Sequence, residues 1–160
     1  MTGRVERAAG SGGCGGLRSE PSGGGLLGAR PERVVADAHK VVAGGASLFV
    51  AGLGVPRDVI KVLHDGNVLV ASMCGKVRHA IAAVEAGCDF VIAQGTEAGG
   101  HTGTVATMPL VPPIVDAVGE RVPAGAAGGM VDVRWRAAGA RAVAGGGWTG
   151  TRVVHRRATR

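Results

Sequence analysis

Asn67-Val68-Leu69-Val70-Ala71-Ser72-Met73, a helical stretch at 76–86, and Asp89-Phe90-Val91-Ile92-Ala93-Gln94-Gly95 together decide the fold. The two outer runs are apolar without alternation, which suits strands buried on both faces. Between them Val77, Ala80, Ile81 and Val84 recur at helical spacing, and Gly87 closes the helix. Strand, helix and strand in that order make a βα repeat whose two strands run parallel.

The same rhythm extends in both directions. Upstream, Val34, Val35, Ala38, Val41 and Val42 mark a helix that Gly44-Gly45 ends, and residues 47–52 form a short apolar run. Residues 55–64 read as a helix with Pro56 in its first turn, followed by the turn Asp65-Gly66. Downstream, a helix covers 108–118, with Pro109 and Pro112-Pro113 in or before its first turn. A weaker strand follows at 122–127, then a helix over 132–142 and a poor strand at 146–149. The pattern predicts an α/β chain of five βα-type units with a parallel sheet, either doubly wound or part of a barrel. A closed (β/α)8 barrel needs eight strands and about 250 residues. A chain of 160 residues is too short to close one.

Composition divides the chain further. Glycine fills 30 of the 160 positions, ten of them within residues 1–30. That segment has no hydrophobic period and is expected to be a disordered leader, because it cannot bury enough surface to offset ordering entropy. Residues 31–154 are expected to form the folded domain, and 155–160 a basic tail. The net charge is +6, but residues 133–160 carry seven arginines and no acid. The positive charge is therefore a C-terminal feature. No aromatic residue interleaves the final arginines, so nucleic-acid binding is not expected. No apolar stretch is long enough for a membrane span, and no secretory signal is visible. Cys14, Cys74 and Cys88 are odd in number and contain no CxxC, which supports neither a disulfide framework nor a zinc site. Cys74 and Cys88 read as buried thiols, and a cytoplasmic setting follows.

Functional groups in parallel α/β folds collect beyond the C-terminal ends of strands. Three places qualify. Gln94 to Gly103 follows the clearest strand: Gly99-Gly100 lets backbone approach a planar ligand, and Gln94 offers both donors and acceptors. His101 is the candidate acid/base, since histidine titrates near neutrality. Ala126-Ala127-Gly128-Gly129 precedes a helix, where backbone N–H groups suit a phosphate. Trp148-Thr149-Gly150-Thr151-Arg152 follows the last strand and could add N–H groups and a hydroxyl. Two Gly-rich turns after consecutive final strands match the usual phosphate site of such barrels.

The run Val91-Ile92-Ala93-Gln94-Gly95-Thr96-Glu97-Ala98-Gly99-Gly100-His101-Thr102-Gly103 resembles the signature of the nitronate monooxygenase family. The resemblance extends over about residues 33–154 and includes Met108-Pro109-Leu110-Val111-Pro112, Gly128-Gly129 and Trp148 to Arg152. It implies a (β/α)8 barrel of the TIM-barrel family, here about its last five βα units, with FMN as cofactor. Gln94 and Gly99 would contact FMN. Gly129, Trp148, Thr149, Gly150 and Thr151 would hold its phosphate end, and His101 would serve as catalytic base. The reaction implied is oxidative denitrification of a small nitronate or nitroalkane by O2, giving a carbonyl compound and nitrite. The sequence departs from the family at Pro123-Ala124-Gly125, Val133, Arg136 and Gly145-Gly146-Gly147, and the family's first βα units have no counterpart in residues 1–30. Weak or absent FMN binding is therefore expected of the isolated chain. A flavin-dependent enoyl-acyl-carrier-protein reductase and a non-catalytic fragment stay open as alternatives, as does assembly into a homo-oligomer.

Overall fold

The computed structural model describes residues 23–26, 31–52, 54–130, 132, 134, 137–138 and 146–148. Two compact units account for them. The first takes Met1–Met73 with Glu85–Asp89, and the second takes Cys74–Val84 with Phe90–Arg160.

In the first unit three strands pair in parallel: β1 (Gly23–Leu26), β2 (Leu48–Ala51) and β3 (Leu69–Cys74). Helix α1 (Pro31–Ala43) joins β1 to β2, and α2 (Arg57–Asp65) joins β2 to β3. Both helices bury one stripe: Val34, Ala38 and Val41 on α1, and Val59, Ile60 and Leu63 on α2. Phe49 and Ala51 on β2 and Val70 and Ala71 on β3 are buried with them. Asp89 closes the unit. Its Oδ2 accepts the Val70 N–H at 2.7 Å and lies 2.9 Å from His64 Nε2, while its own N–H donates to Val70 O.

Two local expectations need correction here. Residues 23–26 lie inside the stretch expected to be a disordered leader, yet Gly23 to Leu26 pair in register with Leu48 to Ala51. A parallel ladder is made by backbone groups, so three glycines can join it without contributing a hydrophobic pattern. Residues 1–22 and 27–30 of that leader lie outside the described residues. Pro56 stands not in the first turn of α2 but at its N-cap, with extended backbone (φ −63°, ψ 147°). Its carbonyl accepts from Val59 and Ile60, so proline still begins the helix from outside.

In the second unit β4 (Phe90–Gln94), β5 (Ala124–Ala127) and β6 (Gly146–Trp148) form a second parallel set, with Gln94 opposite Ala127 and Ala127 opposite Trp148. Helix α3 (Val77–Ala86) begins in this unit and precedes β4. Helix α4 (Thr107–Val118) links β4 to β5 and packs on both. All five strands marked by the sequence are present, and β1 precedes them. β5 and β6 are the two weakly marked strands, and β5 carries alanine and glycine where bulkier residues would be expected. Small side chains suffice there because β5 is paired on both sides and lies under α4.

Pro112 and Pro113 were expected near the start of α4, but they sit in its interior. Each removes one backbone hydrogen bond, at about 3 kcal/mol per interior proline. Leu110, Val111, Ile114 and Val118 are buried along the same helix, and each such burial contributes roughly 1.5–3 kcal/mol. Four burials outweigh two prolines, so docking rather than helix propensity holds α4. Among the described residues no helix is long and apolar enough to cross a membrane. Cys74 and Cys88 are both buried, whereas Cys14, the helix 132–142 for the most part, and 155–160 lie outside the described residues.

Candidate active site

β4 ends in buried Gln94, and the chain leaves it through a loop that must turn back to start α4. Gln94 turns its side chain onto that loop, with Nε2 donating to Gly99 O at 3.3 Å. Two backbone bonds shape the bend: Ala98 N–H donates to Gly95 O, and Thr96 N–H to Val105 O. Gly95 lies so close to Thr107 that an added Cβ would collide with the Thr107 backbone nitrogen and hydroxyl.

Thr107 is the first residue of α4 and is 2% exposed. Its N–H is one of the helix's orphan donors. The N-cap residue, Ala106, has no side chain able to accept it. Glu97 supplies the acceptor from the loop instead. Thr107 N–H lies 2.9 Å and 3.2 Å from the two Glu97 carboxylate oxygens, and Thr107 Oγ1 lies 2.9 Å from Oε2. The same hydroxyl is 3.0 Å from Ala127 O at the end of β5. A carboxylate at this helix end also meets the positive end of the macrodipole.

Hydrogen bonds hold the Glu97 carboxyl below its ordinary range. The largest comes from its own backbone N–H; burial opposes it as the next largest effect, and Thr107 N–H, Thr107 hydroxyl and Thr96 hydroxyl lower it further. The charge therefore contributes stability above the ordinary carboxyl value of 4.5, lost as pH falls through the depressed value. Glu97→Gln has the same shape and no charge. The unmodified chain should unfold at higher urea than this variant at neutral pH, and the gap should close in acid. A gap that is constant between pH 7 and pH 3 would show that the charge contributes nothing.

The rest of the site lies at the same strand ends. Among the described residues, no atom outside the chain neighbours lies within 4 Å of a Cβ built at Gly99 or Gly100, so the backbone there is open toward them. Gly128 and Gly129 take positive φ, +107° and +66°, a backbone conformation that favours glycine. Gly128 approaches Ala98, and Gly129 approaches Glu97, so this turn and the loop after β4 are in contact. Gly103, on the far side of His101, crosses Gly75, where a Cβ would lie 2.8 Å from Gly103 N. His101 is exposed between these anchors and has no hydrogen-bond partner among the described residues. An open glycine stretch beside a two-glycine turn fits a flat cofactor with a phosphate tail.

Gln94, Gly99, His101 and Gly129 are thus brought to one end of adjacent strands β4 and β5, and Trp148 ends β6 opposite Ala127. Thr149, Gly150 and Thr151 lie outside the described residues. Glu97, Thr107 and Gly75 were not singled out by the sequence. Glu97 and Thr107 are ten residues apart, which no local capping pattern spans. Lys76, Arg78 and His79 stand at the start of α3, where no acid lies in the first turn. Burial, then the charges of Arg78 and Lys76, lower the pKa of His79.

Comparison with known proteins places this arrangement. A family described as nitronate monooxygenase matches residues 29–156. A Mycobacterium tuberculosis protein carrying a monooxygenase name is 43% identical over 139 residues, covering 86% of this chain and 34% of that protein. The chain therefore spans about a third of that relative's length. Among solved structures, a single-residue variant of FabK from Thermotoga maritima superposes with a TM-score of 0.84 at 27% identity, covering 94% of this chain and 50% of that one. Nitroalkane oxidase from Streptomyces ansochromogenes gives 0.72 at 26% identity, over 85% of this chain and 51% of that one. Matches over about half of such structures fit a partial TIM barrel.

Proposed function

The chain belongs to the nitronate monooxygenase family, and we propose that it carries the base loop and phosphate turn of an FMN-dependent oxidoreductase acting on small nitronates or nitroalkanes. When bound, FMN would supply the redox chemistry that links substrate to O2. The residues of this chain do the rest. Gly99 and Gly100 admit the flat ring, with Gln94 bracing the loop through Gly99 O. The N–H groups of Gly128-Gly129 receive the phosphate, a role that the family resemblance extends to Trp148, Thr149, Gly150 and Thr151. His101 takes the α-proton from the carbon of a neutral nitroalkane. The products are a carbonyl compound and nitrite.

One observation carries this assignment. The side-chain-free Gly99-Gly100 stretch and the positive-φ Gly128-Gly129 turn follow the same ends of paired strands β4 and β5, with His101 beside them. The test is a flavin titration followed by a nitrite assay. FMN should bind more tightly than riboflavin, because only FMN carries the phosphate, and a nitronate in air should yield nitrite. Equal binding of both flavins would refute the phosphate turn. Turnover that requires a pyridine nucleotide and releases no nitrite would favour a reductase instead.

A further inference from the structure

Three segments meet at Thr107. The loop after β4 reaches it through the Glu97 carboxylate. β5 reaches it through Ala127 O. The turn after β5 presses on it, since a Cβ at Gly128 would lie 2.6 Å from Thr107 Oγ1 and 3.0 Å from Ala98 N. Glu97 is exposed, so burial does not compel its carboxylate to fold back onto a buried threonine. The loop that it holds contains Gly95, Gly99, Gly100 and Gly103. Glycine loses more conformational freedom on ordering than any other residue, so such a loop needs anchors.

Given the FMN-dependent function above, we propose that Glu97 and Thr107 are positioning residues that fix the His101 loop against the Gly128-Gly129 turn. The spacing between the base and the phosphate end of the cofactor is then set by this junction rather than by the preferences of a glycine-rich loop. Glutamine at position 97 can keep an acceptor in the same place: its oxygen, where Oε2 stands, accepts from the Thr107 N–H and the Thr107 hydroxyl. Alanine can do none of this. Valine at position 107 keeps the shape and the N–H but loses the hydroxyl link to β5. These substitutions separate positioning from proton transfer.

The experiment uses the full chain without flavin, reading amide exchange at Thr107, 98–103 and 128–129. Glu97→Ala should speed exchange at Thr107 and across 98–103 by about 10- to 100-fold, and Thr107→Val should do so at 128–129, while Glu97→Gln stays within about threefold of the unmodified chain. With FMN added, Glu97→Ala should lower the rate on a neutral nitroalkane relative to its nitronate, and Glu97→Gln should restore that ratio. Unchanged exchange in Glu97→Ala would overturn the junction. Equal loss of the ratio in both position-97 variants would make Glu97 a proton carrier and overturn the positioning role. If the unmodified chain turns over neither substrate, the proposed function fails separately, and the exchange data still decide the junction.

Discussion

His101→Ala is expected to slow oxidation of a neutral nitroalkane by about 10²–10⁴-fold, the usual contribution of a positioned general base. That corresponds to roughly 3–5 kcal/mol of barrier. The matching nitronate should be affected far less, because its α-proton is already gone. The placement behind this expectation is specific. His101 is exposed beside an open glycine face, and its loop is held at Gly99 by Gln94 and at Gly103 by the crossing with Gly75. Both rates should be measured on the same FMN-loaded preparation. Equal losses on the two substrates would remove proton abstraction from the role of His101 and leave it a binding residue.

Gly95→Ala and Gly99→Ala should diverge sharply although the residues are four apart. The Cβ of Gly95→Ala enters the space held by the Thr107 nitrogen and hydroxyl, and backbone atoms cannot swing aside. Overpacking of this kind costs about 1–3 kcal/mol or more, and this site belongs at the top of that range. Gly99→Ala meets nothing within 4 Å among the described residues, so its effect on stability should stay within about 0.5 kcal/mol. FMN affinity should reverse the contrast for Gly99, since a methyl group there would stand where the flat ring approaches. Urea midpoints and flavin titrations on both variants check the pair. A stable, flavin-binding Gly95→Ala would mean that the Thr107 approach is looser than described. A Gly99→Ala chain that binds FMN normally would move the ring elsewhere.

The strands with side-chain signal were legible in the sequence. Val91, Ile92 and Ala93 are buried as an unbroken apolar run should be, and Val77 to Ala86 forms the helix its spacing marks. β1 was not legible, because Gly23-Gly24-Gly25 pairs only through its backbone. The prolines misled for the opposite reason: a local rule against interior proline was overruled by burial of Leu110, Val111 and Ile114. In the site, Gln94, Gly99, His101 and Gly129 stood out by residue type and by following strand ends. Glu97 and Thr107 did not, because the acid that caps α4 comes from a different segment, and only the folded chain brings the two together.

The paired prolines of α4 also set an order of events during folding. An isolated helix of this length is marginal in water even with good helix formers. With Pro112 and Pro113 inside it, α4 has no helical character to contribute before its partners exist. β4 and β5 must come first and offer the surface on which Leu110, Val111, Ile114 and Val118 settle. Only then does Thr107 present its N–H to Glu97, and only then is the His101 loop drawn into place. The chemistry-bearing loop is thus among the last parts of its unit to mature, and a newly made chain does not carry a formed site until its core is complete.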